Sequence, residues 1–82
     1  MIPGRLTLYG RAYCHLCHDM EMELRQILAQ AGVPLEVVDV DSDPSLEARF
    51  DELVPVLMYG ELEISRYHLD HAAVHAILKE IR

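Results

Sequence analysis

The sequence predicts an α/β domain with element order β-α-β-α-β-β-α, in which a four-stranded mixed sheet is flanked by helices. Three observations carry this. Apolar residues recur at intervals of three and four from Cys17 to Ala31, the spacing of a helix with one buried face. Short β-branched or apolar runs stand at Leu6–Tyr9, Leu35–Val40 and Pro55–Tyr59. A helical period returns near the C-terminus, over Leu69–Ile81. The 82 residues leave room for a single domain, 1–82.

Leu6-Thr7-Leu8-Tyr9 is read as a buried strand and Gly10-Arg11-Ala12-Tyr13 as a brief connection. In the first helix Cys17, Met20, Leu24, Ile27, Leu28 and Ala31 form the buried stripe; Gly32 is its stop, and Pro34 follows. Leu35–Val40 is expected to be a second, mostly buried strand. Asp43 has helix-capping chemistry and Pro44 suits a first helical position, so a short helix over Ser45–Asp51 is expected, with Leu46 and Phe50 inward. Pro55–Tyr59 and Leu62–Ile64 are strands joined by a tight turn at Gly60-Glu61. The last helix places Ala73, Val74, Ile77, Leu78 and Ile81 on one face, with His68, His71, His75, Lys79 and Arg82 on the other. A helix between the first two strands makes them parallel, and a short turn makes the last two antiparallel.

Charge narrows the partners. With 14 acidic against 7 basic residues, the formal charge of −7 repels phosphate backbones and anionic lipid, so neither nucleic acid nor membrane is an expected partner. Met1-Ile2-Pro3-Gly4-Arg5 holds no apolar run of signal-peptide length, and no stretch approaches a membrane span. The expected compartment is the cytosol, where a Cys-x-x-Cys pair is catalytic or metal-binding more often than structural. No long exposed apolar surface calls for an obligate dimer, so a monomer is expected.

The chemistry centres on Cys14-His15-Leu16-Cys17, set between the first strand and the first helix. Unpaired N–H groups and the positive end of the helix dipole stabilise a thiolate at a helix start. A second cysteine one turn on is within disulfide reach. A protonated His15 would favour the Cys14 thiolate further.

These residues resemble the glutaredoxin branch of the thioredoxin-fold superfamily, and in particular its short bacterial glutaredoxin-like proteins. Tyr13-Cys14-His15-Leu16-Cys17 after the first strand, Val54-Pro55 opening the third, and the element order carry the resemblance. It implies a thioredoxin-like fold and thiol–disulfide oxidoreductase activity on protein or small-molecule disulfides. Cys14 would be the attacking thiol and Cys17 the resolving one, with a cis-proline at Pro55 facing them and the backbone of Val54 offered to the substrate. It also implies an outside thiol reductant, either glutathione or a thioredoxin-type system. Arg11 stands where glutaredoxins use a lysine to bind a carboxylate, and Arg66 is a second carboxylate candidate. The chain departs from the family in having His15-Leu16 where glutaredoxins usually have Pro-Tyr. It has Ser65-Arg66 where glutathione-binding members have Gly-Gly. Glutathione is thus a candidate co-substrate, and no tightly bound cofactor is expected.

Competing readings exist. Cys14-His15-Leu16-Cys17-His18 matches the c-type haem attachment pattern, with Met58 as a downstream ligand candidate; the β-branched runs argue against it. A redox sensor or non-catalytic binding module would keep the fold without turnover. His71 and His75, one turn apart with His68 nearby, are read as a solvated helix face rather than a metal site. Asp39–Asp43 opens like a calcium loop, but Pro44 and Phe50 occupy the positions that need glycine and glutamate.

Overall fold

The computed structural model describes residues 5–81. The readings of residues 1–4 as lacking a leader, and of Arg82 as lying on the far face of the last helix, fall outside that range. The elements are β1 (Leu6–Gly10), α1 (His15–Ala31), β2 (Glu36–Asp39), α2 (Pro44–Phe50), β3 (Val56–Tyr59), β4 (Leu62–Arg66) and α3 (His71–Ile81), with a 3-10 turn at Val40–Ser42 between β2 and α2. The four strands lie in the order β2-β1-β3-β4. β1 and β2 are parallel, and the other two pairings are antiparallel.

The period-2 pattern of β3 explains the layering. Leu57 and Tyr59 point into one apolar cluster, with Leu6 and Leu8 of β1, Met20, Leu24 and Leu28 of α1, and Val74, Ile77 and Leu78 of α3. Val56 and Met58 point the other way, into a second cluster with Cys17, Val40, Phe50 and Val54. All four β3 residues are therefore buried, as a central strand covered on both faces requires. Tyr9 stacks on Phe50 with ring centroids 4.4 Å apart.

Helix ends follow from their chemistry. Gly32 takes the left-handed conformation (φ 69°) that ends α1, and its N–H donates to the Leu28 carbonyl. Asp43 caps α2 and Pro44 begins it. Asp70 accepts from the Ala73 N–H at 3.0 Å, so α3 starts at His71 rather than Leu69.

β2 differs from expectation. It is not mostly buried: three of its four residues are exposed, and Val37 retains 43% of its accessible surface. As the outermost strand it has a neighbour on one side only, whereas the buried Val40 belongs to the turn beyond it. β4 is longer than expected, because Ser65 and Arg66 pair with Leu57 and Val56 despite their polarity.

Candidate active site

The β1–α1 turn places both cysteines. The Cys14 N–H donates to the Arg11 carbonyl at 3.3 Å, closing the turn that leads into α1. Cys14 is the N-cap: its backbone is extended (φ −108°, ψ 112°) and its Sγ accepts the Cys17 N–H at 3.1 Å. Sulfur thus fills the role that a serine or aspartate oxygen plays at most helix starts. Cys14 and Cys17 are joined as a disulfide with Cα atoms 5.2 Å apart. They are not equivalent. Cys14 is half-buried at the rim of the second apolar cluster, whereas Cys17 is 5% exposed within it.

Gly10 explains how the buried sulfur fits. A Cβ at that position would lie 3.0 Å from Cys17 Cβ and 3.1 Å from its Sγ. The first turn of α1 lies directly against the end of β1, where the absence of a side chain at residue 10 leaves it room.

Val54-Pro55 lies beside the pair. The peptide bond between them is cis. Val54 is buried in the same cluster as Cys17, with Cys14 packed against it. The Pro55 carbonyl accepts the Tyr67 N–H at 2.8 Å. Among the described residues, no hydrogen bond is made to the N–H or the carbonyl of Val54. This segment consequently presents an unpaired donor and acceptor next to the disulfide.

The other candidate residues surround this centre. His15 is the first residue of α1 and is exposed. Tyr13 is 80% exposed, its hydroxyl 3.5 Å from Asp41 Oδ2. Arg11 Nε donates to Asp41 Oδ1 at 3.2 Å. Burial pulls the Arg11 guanidinium down, but the hydrogen bond and charge of Asp41 outweigh it, and the net shift is upward. Arg66 lies opposite Val56 in the sheet and donates to Glu63 Oε1 at 2.8 Å. That hydrogen bond raises its pKa against the opposing pull of burial. Ser65 is buried and its Oγ accepts the Asp70 N–H at 2.9 Å, which fixes the entry to α3.

Asp41 was not marked as a site residue by the sequence reading. It is 30 positions from Arg11 in the chain, and the parallel pairing of β1 with β2 brings the two together. The pattern of the competing readings also becomes concrete. Met58 is 6% exposed and packs in the core beneath the dithiol, and the His18 ring N–H donates to the Ala12 carbonyl at 2.7 Å. His71 contacts Glu23 at 3.2 Å. Among the described residues, no three His, Cys, Asp or Glu side chains converge.

A mixed four-stranded sheet with three helices, and a Cys-x-x-Cys pair at the head of the first, define a thioredoxin-like α/β protein. The model of the glutaredoxin-like domain family (DUF836) matches residues 5–79, and the chain belongs to that family. The solution structure of a Nitrosomonas europaea protein is 33% identical, covering 94% of this chain and 93% of that one, with a TM-score of 0.78. An X. campestris protein is 36% identical over 92% of this chain and 96% of its own, with a TM-score of 0.66. Thioredoxin 1 of Thermosipho africanus, 22% identical over 94% of this chain and 89% of its own, shares the fold with a TM-score of 0.59. Comparison with curated proteins finds no match. Among the described residues, no helix is long and apolar enough to cross a membrane.

Proposed function

We propose that the protein is a glutaredoxin-like thiol–disulfide oxidoreductase that uses the Cys14/Cys17 dithiol to reduce protein or small-molecule disulfides. The observation that carries this reading is the asymmetry of the pair: a half-buried cysteine at the N-cap of α1, and a buried one a turn behind it. In the reduced protein the same Cys17 N–H that reaches Cys14 Sγ at 3.1 Å stabilises a Cys14 thiolate, aided by the helix dipole.

The thiolate attacks one sulfur of the substrate disulfide. A Cys14–substrate bond forms, and the other substrate sulfur leaves with the electron pair and takes up a proton. Cys17 then loses its proton and attacks Cys14 Sγ. The Cys14–Cys17 disulfide closes and the second substrate thiol departs. Two electrons and two protons have passed to the substrate. An outside thiol, glutathione or a thioredoxin-type protein, must reopen the disulfide, which suits a reducing compartment such as the cytosol. The unpaired backbone of Val54, next to the cis Pro55, supports binding of the substrate chain as an added strand, and the exposed ring of Tyr13, before Cys14 in the chain, supports a contact with it. Arg11 and Arg66 are its charged surroundings.

The test is mutational. Cys14→Ser should abolish reduction of a peptide disulfide, whereas Cys17→Ser should still attack and accumulate a mixed disulfide visible by intact mass. Full activity in both variants rejects the reading.

A further inference from the structure

Arg11 precedes Cys14 in the same turn, Arg66 lies opposite Val56 in the sheet, and both are occupied. Arg11, in the turn that carries Cys14, is held by Asp41 at 3.2 Å and keeps only 17% of its side-chain surface exposed. Asp41 is itself fixed: its N–H donates to Asp39 Oδ1 at 2.9 Å, and its second oxygen is 3.5 Å from the Tyr13 hydroxyl. Arg66 is engaged by Glu63 at 2.8 Å. Arg49 is stacked over the Phe50 ring, 4.9 Å from its centroid. The opening between the start of α1 and the β4–α3 loop, about 230 Å³, is lined by Leu16, Asp19, Glu23, Tyr67, His68 and Leu69 and holds no lysine or arginine. The cavity that Cys17 itself lines, about 150 Å³, also carries Gly10, Arg11 and Asp39, so the Arg11–Asp41 pair stands beside the dithiol.

We infer that Asp41, by holding Arg11, is a specificity-determining residue that sets the dithiol against anionic disulfides such as glutathione disulfide and in favour of disulfides in neutral or cationic polypeptides. A substrate carboxylate must displace an intramolecular competitor, which acts at high effective concentration. It must also approach a molecule of formal charge −7, whereas a cationic segment is drawn in. The inference rests on the oxidoreductase reading and names its substrate class.

The experiment uses the fully reduced protein at about pH 8, where imidazoles are neutral. The probes are glutathione disulfide and three peptide disulfides of equal length whose cysteines are flanked by lysine, serine or glutamate. Second-order exchange rates come from acid quenching and chromatography at about 0.02 M and about 0.5 M salt. The lysine peptide should react about tenfold faster than the glutamate peptide at low salt, and the gap should close at high salt. Asp41→Asn should raise the rate with glutathione disulfide about fivefold relative to the serine peptide, and adding Arg11→Gln should remove that gain. Equal rates for all probes, or an Asp41→Asn variant with an unchanged ratio, overturn the inference and leave the oxidoreductase reading standing. No exchange with any probe overturns both.

Discussion

Gly10→Ala tests how the site is packed. Gly10 does not have a positive φ, so its backbone does not require glycine, and alanine would stiffen the unfolded chain by about 0.4–1 kcal/mol in favour of folding. The contact with Cys17 opposes this. A methyl 3.0 Å from Cys17 Cβ and 3.1 Å from Sγ is several tenths of an ångström inside the ~3.5–4.0 Å at which carbon atoms rest. Neither partner yields easily: the Cβ moves only with the backbone of α1, and the residue is buried among Val40, Phe50, Val54 and Val56. Overpacking of this kind costs about 1–3 kcal/mol. The net loss is about 1–2 kcal/mol, which lowers Tm by roughly 5–15 °C in a domain of this size. Circular dichroism melts of four reduced proteins form a cycle: wild type, Gly10→Ala, Cys17→Ala and the double variant. Cys17→Ala keeps the Cβ contact and removes the Sγ contact, so the double variant should recover part of the loss. An unchanged or higher Tm for Gly10→Ala refutes the reasoning, as does full additivity of the two substitutions.

Three further outcomes follow from the same geometry. Asp43 accepts the Ser45 hydroxyl and N–H at 2.8 Å each, and those hydrogen bonds hold its carboxylate below its ordinary range. A depressed carboxylate stabilises the fold above its unfolded pKa and loses that contribution as pH falls through the folded value. The stability gap between wild type and Asp43→Ala, measured by urea titration, should therefore be full at pH 7 and shrink below about pH 4; a gap constant to about pH 2 refutes it. Ser65→Ala leaves the Asp70 N–H without its acceptor and should cost about 1–2 kcal/mol in the same assay, with a null effect counting against the role given to Ser65. Phe50→Leu should cost about 1–3 kcal/mol and speed alkylation of Cys17 in the reduced protein, because Phe50 shares its cluster. Slow alkylation in a destabilised Phe50→Leu would show that the second cluster does not shield the sulfur.

Much of this was readable in the sequence because it depends on neighbours. The stripe Met20-Leu24-Leu28, the left-handed stop at Gly32 and the Asp43-Pro44 start are all short-range devices, and each is found in place. What escaped depends on residues far away. Val37-Val38 looks like a buried strand, yet burial depends on what lies outside it, and among the described residues no further strand does. Ser65 and Arg66 look like loop, but they extend β4 because Leu57 and Val56 supply partners across the sheet. The cysteines and Val54-Pro55 were visible as motifs, whereas nothing local in the run Asp39–Asp43 marks Asp41 as the counterion of Arg11. Gly10 carried no signal, since its neighbour Cys17 approaches through the fold rather than along the chain.

The two apolar clusters give the dithiol a particular mechanical setting. Below its first turn, α1 is anchored by Met20, Leu24 and Leu28 in the cluster shared with α3. Its first turn instead sends Cys17 into the cluster shared with Phe50 and Val54. β3 joins the two, because consecutive residues Val56 to Tyr59 alternate between them, and the cis Val54–Pro55 bond leads directly into that strand. The reactive pair and the segment beside it thus share one face of the most buried strand in the sheet, while the body of α1 is held on the other. Rigidity at the site comes from this central strand, while Cys14, as its helix's cap, accepts the His18 N–H at its carbonyl and keeps its side chain at the helix's rim. At that helix start Cys17 is buried in the second cluster, while Cys14, a turn before it, stays half-buried at its rim.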